Sequence, residues 1–242
     1  MVSSRTGGEL GPTAWDVVNA MASPLRSTAS SSELGHEGNL IFMTVASILG
    51  RRPLRSLLER RSVSSLVEPG PSPEQLTQIL EVAMTVPDHG GLRPWRLVVV
   101  SGAGRGRFGD ALAEAAREAD AGVDPAVVER IRSKAFVAPT LIAIAARLES
   151  GVKIPEWEQV ASASCCGYAI ALAADALGFG AMWKSSPFHR GTALFELLDL
   201  RPNAVFLGWV NLGTAAEAPP IRRAADLAPV VRWVSDGGPG AR

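Results

Sequence analysis

Hydrophobic and polar positions alternate with regular periods from residue 54 onwards, whereas residues 1–45 show little periodicity. This first stretch contains SPLRSTASSSELGHEGN, whose richness in Ser and Gly is typical of a disordered extension. We therefore expect a poorly ordered extension over 1–45 and one folded domain over 46–242. Met43 is an alternative translation start that the sequence leaves open.

The most clearly marked helix lies in SPEQLTQILEVAM. Ser72 is its expected N-cap, Pro73 occupies the first helical position and Gln75 completes a capping box. The helix must end near Pro87, because proline cannot continue it. The side chains expected on its buried stripe are Leu76, Ile79, Leu80 and Ala83.

Short β-branched runs and Ala-rich helical patterns alternate irregularly along the rest of the chain. The pattern predicts a helix through Leu54, Leu57 and Leu58, a buried strand at RLVVVSG (96–102), a helix at about 107–119, a strand at 140–147, a long helix at about 157–177 ended by Gly178, a strand at GAMWK (180–184), a helix near 192–199, a strand at VFLGWVNLG (205–213) and an extended arm from Pro219 to Trp233. No internal repeat is visible. The fold class predicted is a single α+β domain.

The long helix carries Ala, Ser, Cys and Gly on nearly every side. Small side chains permit close approach, so this helix is expected either at the centre of the domain or against a second copy of the chain. Cys165 and Cys166 lie within it and are interpreted as small buried residues, not as a disulfide framework or metal site.

Composition narrows the range of functions. Of the 242 residues, 47% are hydrophobic, which is enough for a folded core. The 24 Lys and Arg balance the 24 Asp and Glu, so no broad positive electrostatic potential favours nucleic acid, and any anion-binding site must be local. The three histidines have no metal-ligand spacing, which argues against structural zinc. The apolar run LIFMTVASILG (40–50) is too short to span a bilayer, so we expect a cytoplasmic protein, with peripheral membrane attachment left open.

The glycine-rich segment SGAGRGRFG (101–109) follows a strand and opens a helix, as a dinucleotide-binding turn would. Its glycines do not match the required spacing, because Arg107 stands at the third glycine position. The segment is therefore interpreted as an ordinary glycine-rich loop.

Two segments each combine a cation with hydroxyl groups. In LLERRSVSSL, Arg60, Arg61 and Ser62 follow a helix, where the arginines either complement its carbonyl end or begin a phosphate site. In WKSS, Lys184 is followed by Ser185 at a strand end, which alone is typical of an exposed terminus. Together the two segments are suited to close around one phosphate.

A third candidate is the loop PDHGGLRPW (87–95). Prolines stiffen it, and Gly90 and Gly91 would let a ligand approach the backbone closely. His89 is either a hydrogen-bonded loop residue or, together with Trp95, the border of a flat aromatic ligand.

Over about residues 54–234 the chain resembles the nitroreductase family of flavoproteins, most closely its compact YdjA-type subgroup. The resemblance is carried, in order, by ERRSVSSL, PSPEQLTQIL, PDHGGLRPWRLVVV, FVAPTLIAIAA, PEWEQVASASC, ALGFGAMWKSS and FLGWVNLGT. It implies a nitroreductase-like fold, with a central mixed or antiparallel sheet flanked by helices. It also implies a homodimer with an extended C-terminal arm and one FMN at each of two subunit junctions.

The resemblance assigns roles to residues of this chain. The phosphate and ribityl end of FMN would be held by Arg60, Arg61 and Ser62, and the other side would be closed by Trp183, Lys184 and Ser185. The flavin of the opposite subunit would be reached by Thr85 and His89. The resemblance places NAD(P)H at Ala173, Ala174, Asp175, Ala176, Leu177 and Gly178. Lys184 replaces a frequent arginine and gives up bidentate geometry. Ser186 stands where many relatives have glycine.

The activity implied is hydride transfer from NAD(P)H through FMN to a nitroaromatic, quinone or similar acceptor, by a ping-pong mechanism without a protein nucleophile or metal. Two alternatives stay open at this stage. One is a flavin-binding protein without turnover, acting as a sink or regulatory module. The other is a specialised enzyme on the same fold, such as a dehalogenase or a flavin-consuming enzyme.

Overall fold

The computed structural model describes residues 57–219 and 226–234. The chain divides into two compact units, one spanning Arg60–Pro220 and the other made of Met1–Glu59 with Ile221–Arg242. In the second unit, residues 57–59 are helical, and a turn brings the Val230 N–H to the Leu227 carbonyl at 3.1 Å. The predicted N-terminal extension and its boundary near residue 46 lie outside the described residues, as does part of the predicted C-terminal arm, and both stay predictions.

The unit that begins at Arg60 contains strands and helices in irregular alternation. They are β1 (Leu66–Val67), α1 (Pro73–Ala83), β2 (Trp95–Ser101), α2 (Gly104–Ala119), α3 (Pro125–Ser133), β3 (Thr140–Ala146), α4 (Glu156–Ala176), β4 (Gly180–Lys184), α5 (Thr192–Leu197) and β5 (Val205–Ala215), with short 3-10 turns at His89–Gly91 and Lys134–Phe136. The α+β class predicted from the alternating patterns is confirmed.

The strands form one sheet in the order β1-β5-β3-β2, and β4 also pairs with β5. Every pairing between these strands is antiparallel. The register of β3 against β5 shifts between Ile144 and Ala145, opposite Gly208, whose φ is +103°. A side chain at Gly208 would collide with the Lys184 carbonyl, so glycine allows β4 to end against β5 at this point.

Buried side chains form a cluster on each face of the sheet. On one face, Phe108 and Leu112 of α2 and Leu194 of α5 pack with Leu141 and Trp209. On the other, Ile79 of α1 and Ile170 of α4 pack with Ile142, Val210 and Ala181 of the strands. The central strand β3 is buried along its whole length, which explains why its sequence reads as a continuous apolar run.

Helix α1 confirms the predicted capping. The Gln75 N–H donates to the Ser72 hydroxyl at 3.3 Å, and the Ser72 N–H donates to the Gln75 side-chain oxygen at 2.9 Å. Ile79 and Ala83 are buried as expected, whereas Leu76 and Leu80 are only partly buried at the edge of the cluster. The helix ends at Ala83, a few residues before Pro87.

One local expectation needs correction, and two elements were not predicted. Strand β2 was expected to be buried, but it lies at the end of the strand order and Val99 is 40% exposed. Helix α3 was missed, although Asp124 caps it by accepting from the Ala126 N–H at 2.8 Å and Pro125 opens it. Strand β1 was also missed, because a two-residue strand has no measurable period.

Candidate functional site

The Arg-Arg-Ser segment lies beside β4, the strand that carries the second cation cluster. Ser62 forms a parallel bridge with Ala181, and the Val63 N–H donates to the Ala181 carbonyl at 3.0 Å. Ala181 precedes Trp183 and Lys184 on the same strand. Two segments that are far apart in sequence are therefore joined by backbone pairing next to the positions predicted to hold a phosphate.

Arg60 combines burial with an unmet hydrogen bond. Its Nε is buried and has no partner, while its guanidinium carbon lies 5.8 Å from the centre of the Tyr168 ring. A buried donor without a partner costs about 1–3 kcal/mol. Such an atom needs a physical reason, and an anionic ligand that accepts from this guanidinium would supply one.

The other polar side chains of the two segments are also unengaged. Within residues 57–219 and 226–234, the side chains of Arg61, Ser62, Lys184 and Ser185 make no hydrogen bond or ion pair, whereas Arg96, Arg117 and Arg132 each meet a carboxylate. Positive charge on the Arg-Arg-Ser segment and on the end of β4 therefore has no carboxylate partner in the described part of the chain.

Trp183 turns its indole into the protein. Its Nε1 donates to the Leu207 carbonyl at 3.0 Å, and its ring packs so closely on Gly167 of α4 that a Cβ there would overlap it. Trp183 was expected to close one side of the flavin site. Its side chain serves to fix β4 against α4, which leaves its main chain as the part that can border a ligand.

Thr85 and His89 follow α1 and are both exposed. The Thr85 hydroxyl donates to the Val82 carbonyl at 2.8 Å. His89 Nδ1 lies 2.7 Å from a carboxylate oxygen of Glu158, in the first turn of α4. Glu158 was not among the residues expected from the sequence, because nothing in the local pattern links it to a loop about seventy positions earlier.

The glycine pair after His89 has a more internal role than expected. Gly90 has a φ of +76°, and a Cβ there would lie 2.6 Å from the Ile154 side chain. Gly91 has a φ of +67° and open space around it. Gly90 therefore packs the loop against Ile154, and Gly91 is the position of the pair that leaves room for a ligand.

The segment predicted to meet NAD(P)H is the C-terminal end of α4 and the turn that follows. Ala173 and Ala174 are buried in the cluster around Ile170, so their side chains are not available to a ligand. Asp175 is half-buried, and Ala176, Leu177 and Gly178 are exposed. The carbonyl groups at a helix C-terminus disfavour phosphates. An NAD(P)H-binding role for the exposed or half-buried positions 175–178 stays a prediction.

Residues 166–168 of α4 touch three parts of the predicted site. The Cys166 thiol contacts the Ala83 carbonyl at 3.4 Å, Gly167 receives the Trp183 ring, and Tyr168 lies against Arg60. This arrangement could not be predicted from the sequence, because a stretch of small residues around one tyrosine is equally typical of a plain buried helix. One turn of α4 thus positions the end of α1, β4 and the Arg-Arg-Ser segment.

Neither a metal site nor a reactive buried thiol is found among the described residues. No group of His, Cys, Asp and Glu among them could hold a metal ion. Burial, followed by the nearby Cys165 and Asp88, raises the pKa of the Cys166 thiol to about 12, so this thiol stays protonated. No helix in the described part of the chain is long and apolar enough to cross a membrane.

A Nitroreductase family model matches residues 57–214. The chain belongs to the nitroreductase family. As a member of this family it is an oxidoreductase.

Named relatives and solved structures are similar over most of their own length. The "Putative NAD(P)H nitroreductase YdjA" of Escherichia coli (strain K12) is 38% identical over 161 residues, 66% of this chain and 87% of that protein. A "Putative NAD(P)H nitroreductase" of Haemophilus influenzae is 35% identical over 165 residues, 68% and 89% respectively.

Among solved structures, the nitroreductase-like family protein from Bacillus cereus superposes with a TM-score of 0.63 at 21% identity, covering 74% of this chain and 94% of that one. The FMN and NADPH-dependent nitroreductase NfnB from sphigopyxis sp. strain HMH gives a TM-score of 0.56 at 19% identity, with 75% and 98% covered. These two structures show that the fold is nitroreductase-like.

Proposed function

We propose that this protein is an FMN-dependent oxidoreductase that takes hydride from NAD(P)H and reduces nitroaromatic, quinone or similar electron-poor acceptors. The observation that carries the proposal is the buried, unpartnered Nε of Arg60 on a segment paired with β4. Membership of the nitroreductase family supports it. The names of the NAD(P)H nitroreductases and of the FMN and NADPH-dependent NfnB support it further.

The residues present fit an FMN phosphate. A phosphate dianion prefers guanidinium and ammonium groups together with neutral donors, and it needs no carboxylate nearby. Arg60, Arg61 and Ser62 supply that set on one segment, and Lys184 and Ser185 supply it at the end of β4. The Arg60 Nε is already removed from water in the protein without ligand. A hydrogen bond from the guanidinium to a phosphate oxygen would therefore offset the free-energy cost of that buried donor.

When bound, FMN would supply the redox chemistry that links NAD(P)H to an electron-poor acceptor. The protein's contribution is to bind and orient. Arg60, Arg61 and Ser62 hold the phosphate and ribityl end, and the main chain of Trp183 with Lys184 and Ser185 borders the other side. Gly91 keeps the loop after α1 open to a flat ring.

We further propose a homodimer, in which Thr85 and His89 of one protomer reach the flavin held by its partner. Both side chains are exposed, and the close pairing of His89 with Glu158 fixes the direction of the imidazole. Helix α4 also exposes Trp157 and Tyr168, apolar surface that a second copy would cover. The cytoplasmic location expected from the sequence stays a prediction.

The proposal is tested with the purified full chain. It should bind FMN, and NADH or NADPH should bleach the visible flavin band without oxygen, after which a quinone or nitroaromatic should restore it. Failure to bind FMN would contradict the proposal. Binding without bleaching by either nucleotide would favour the non-catalytic flavin-binding alternative instead.

A further inference from the structure

Tyr168 is the only tyrosine in the chain. Its side chain is 48% exposed on α4, and its hydroxyl makes no hydrogen bond within the described residues. It is not part of any buried cluster of the sheet faces. Its one specific contact in the described part of the chain is with the guanidinium of Arg60, 5.8 Å from the ring centre.

Arg60 has little else to hold its side chain in place. Its Nε is buried without a partner, and no carboxylate pairs with the guanidinium in the described part of the chain. A long, flexible side chain loses rotamer freedom when it is ordered. An aromatic face attracts a guanidinium through its quadrupole without accepting from any N–H group, so the ring does not compete with an anion for these donors.

We propose that Tyr168 is a positioning residue for phosphate recognition: its ring holds the Arg60 guanidinium over α4, so that its N–H groups face the flavin phosphate. This inference rests on the proposed FMN function and adds to it a residue outside the Arg-Arg-Ser and Trp-Lys-Ser segments. A carboxylate in place of Tyr168 would also hold Arg60, but it would neutralise the charge that the phosphate needs. The aromatic face avoids that competition.

The decisive measurement compares FMN with riboflavin, which lacks the phosphate. Dissociation constants for both flavins are measured by quenching of flavin fluorescence on the apoprotein, for the wild type and for Tyr168→Leu and Tyr168→Phe. Tyr168→Leu should weaken FMN binding by roughly threefold to tenfold, the range expected for loss of a partly exposed cation–π contact. Riboflavin binding should stay within about twofold, and Tyr168→Phe should behave as the wild type, because the aromatic face alone is required.

A double-mutant cycle ties the effect to Arg60. In an Arg60→Ala background, Tyr168→Leu should cause no further loss of FMN affinity, since the group that it positions is gone. Equal additional loss in that background would overturn the inference, and so would equal weakening of FMN and riboflavin, which would mean that the ring contacts the isoalloxazine or supports the fold.

The outcomes for the wild type separate this inference from the proposed function. If the wild type binds no flavin, the FMN proposal fails and the inference fails with it. If the wild type prefers FMN to riboflavin and Tyr168→Leu keeps that preference unchanged, only the inference is overturned. Melting temperatures of all variants show whether any lost affinity reflects unfolding.

Discussion

At the scale of single residues, Arg60 is the side chain on which flavin binding should depend most. Each charge-assisted hydrogen bond to phosphate is worth about 1.5–3 kcal/mol, so Arg60→Ala should weaken FMN binding by roughly tenfold to a hundredfold. Riboflavin should be little affected. Arg190→Ala is a matched control, because Arg190 is an exposed arginine outside the proposed phosphate site whose hydrogen bond within the described residues is to the Pro202 carbonyl. Equal FMN affinity in the two variants would contradict the prediction.

The two adjacent cysteines should differ sharply in reactivity. Because the pKa of the Cys166 thiol is raised to about 12, almost no thiolate is present near neutral pH. In Cys165→Ser, we expect no reaction with a thiol reagent at neutral or mildly basic pH until the protein is unfolded. A fast reaction of the native variant would show that the thiol is accessible and ionised.

The same thiol makes stability depend on pH in the alkaline range. Between the ordinary pKa of 9.0 and about 12, the unfolded chain releases a proton that the native protein retains. The contribution is therefore fully present below pH 9 and is lost as pH rises through that window. Urea titrations of Cys165→Ser should show a steeper alkaline loss of unfolding free energy than Cys165→Ser with Cys166→Ala, and identical slopes would refute this.

The residues of the candidate site could be predicted from the sequence only in part. The Arg-Arg-Ser cluster is visible because its groups are adjacent in the chain, and the cation at Lys184 is visible for the same reason. Tyr168 and Glu158 are not, since each acts on a residue brought near it only by the fold. The inward direction of the Trp183 indole likewise depends on a glycine in another element.

At the scale of elements, Gly167 and Gly106 form a test pair. Both lie in helices, where Gly→Ala normally favours folding by about 0.5–1 kcal/mol. Gly106→Ala has open space and should stabilise the protein by about that amount. Gly167→Ala should instead destabilise it by about 1–3 kcal/mol, because the methyl group meets the Trp183 ring. Urea denaturation measures both, and stabilisation by Gly167→Ala would contradict the packing described.

Elements with strong local signals were predicted well. Helix α1 has its capping box and β3 its continuous apolar run, so short stretches of sequence define both. The burial of β2 was wrong because a strand's position in the sheet is set by partners that its own residues do not reveal. The helical pattern of α4 showed its length, but not which face meets α1 and which meets β4.

At the scale of the whole molecule, the flavin site is predicted to require two chains. A protomer carrying Arg60→Ala and Ser62→Ala is combined with one carrying Thr85→Phe and His89→Trp. In the heterodimer, one of the two flavin sites contains all four substitutions and the other contains none. About half of the flavin-binding capacity should therefore return, although neither mutant homodimer binds flavin. A mixture that stays empty despite confirmed heterodimers would refute the shared site.

The class and order of the folded unit were predictable because they follow from hydrophobic periods and from one family resemblance that runs through the chain. The homodimer rests on the resemblance alone and stays a prediction, because an exposed apolar side chain such as Trp157 looks the same in sequence whether or not a second copy covers it.

The contacts of residues 166–168 have a consequence for how such a protein varies. Arg60, Ala83 and Trp183 are distant in sequence, yet each meets one of three successive residues on a single helical turn. A side chain that displaces one of these neighbours also shifts the backbone against which the other two rest. Substitutions at these sites should therefore show epistasis, and tolerated variants should arise as linked sets inherited together.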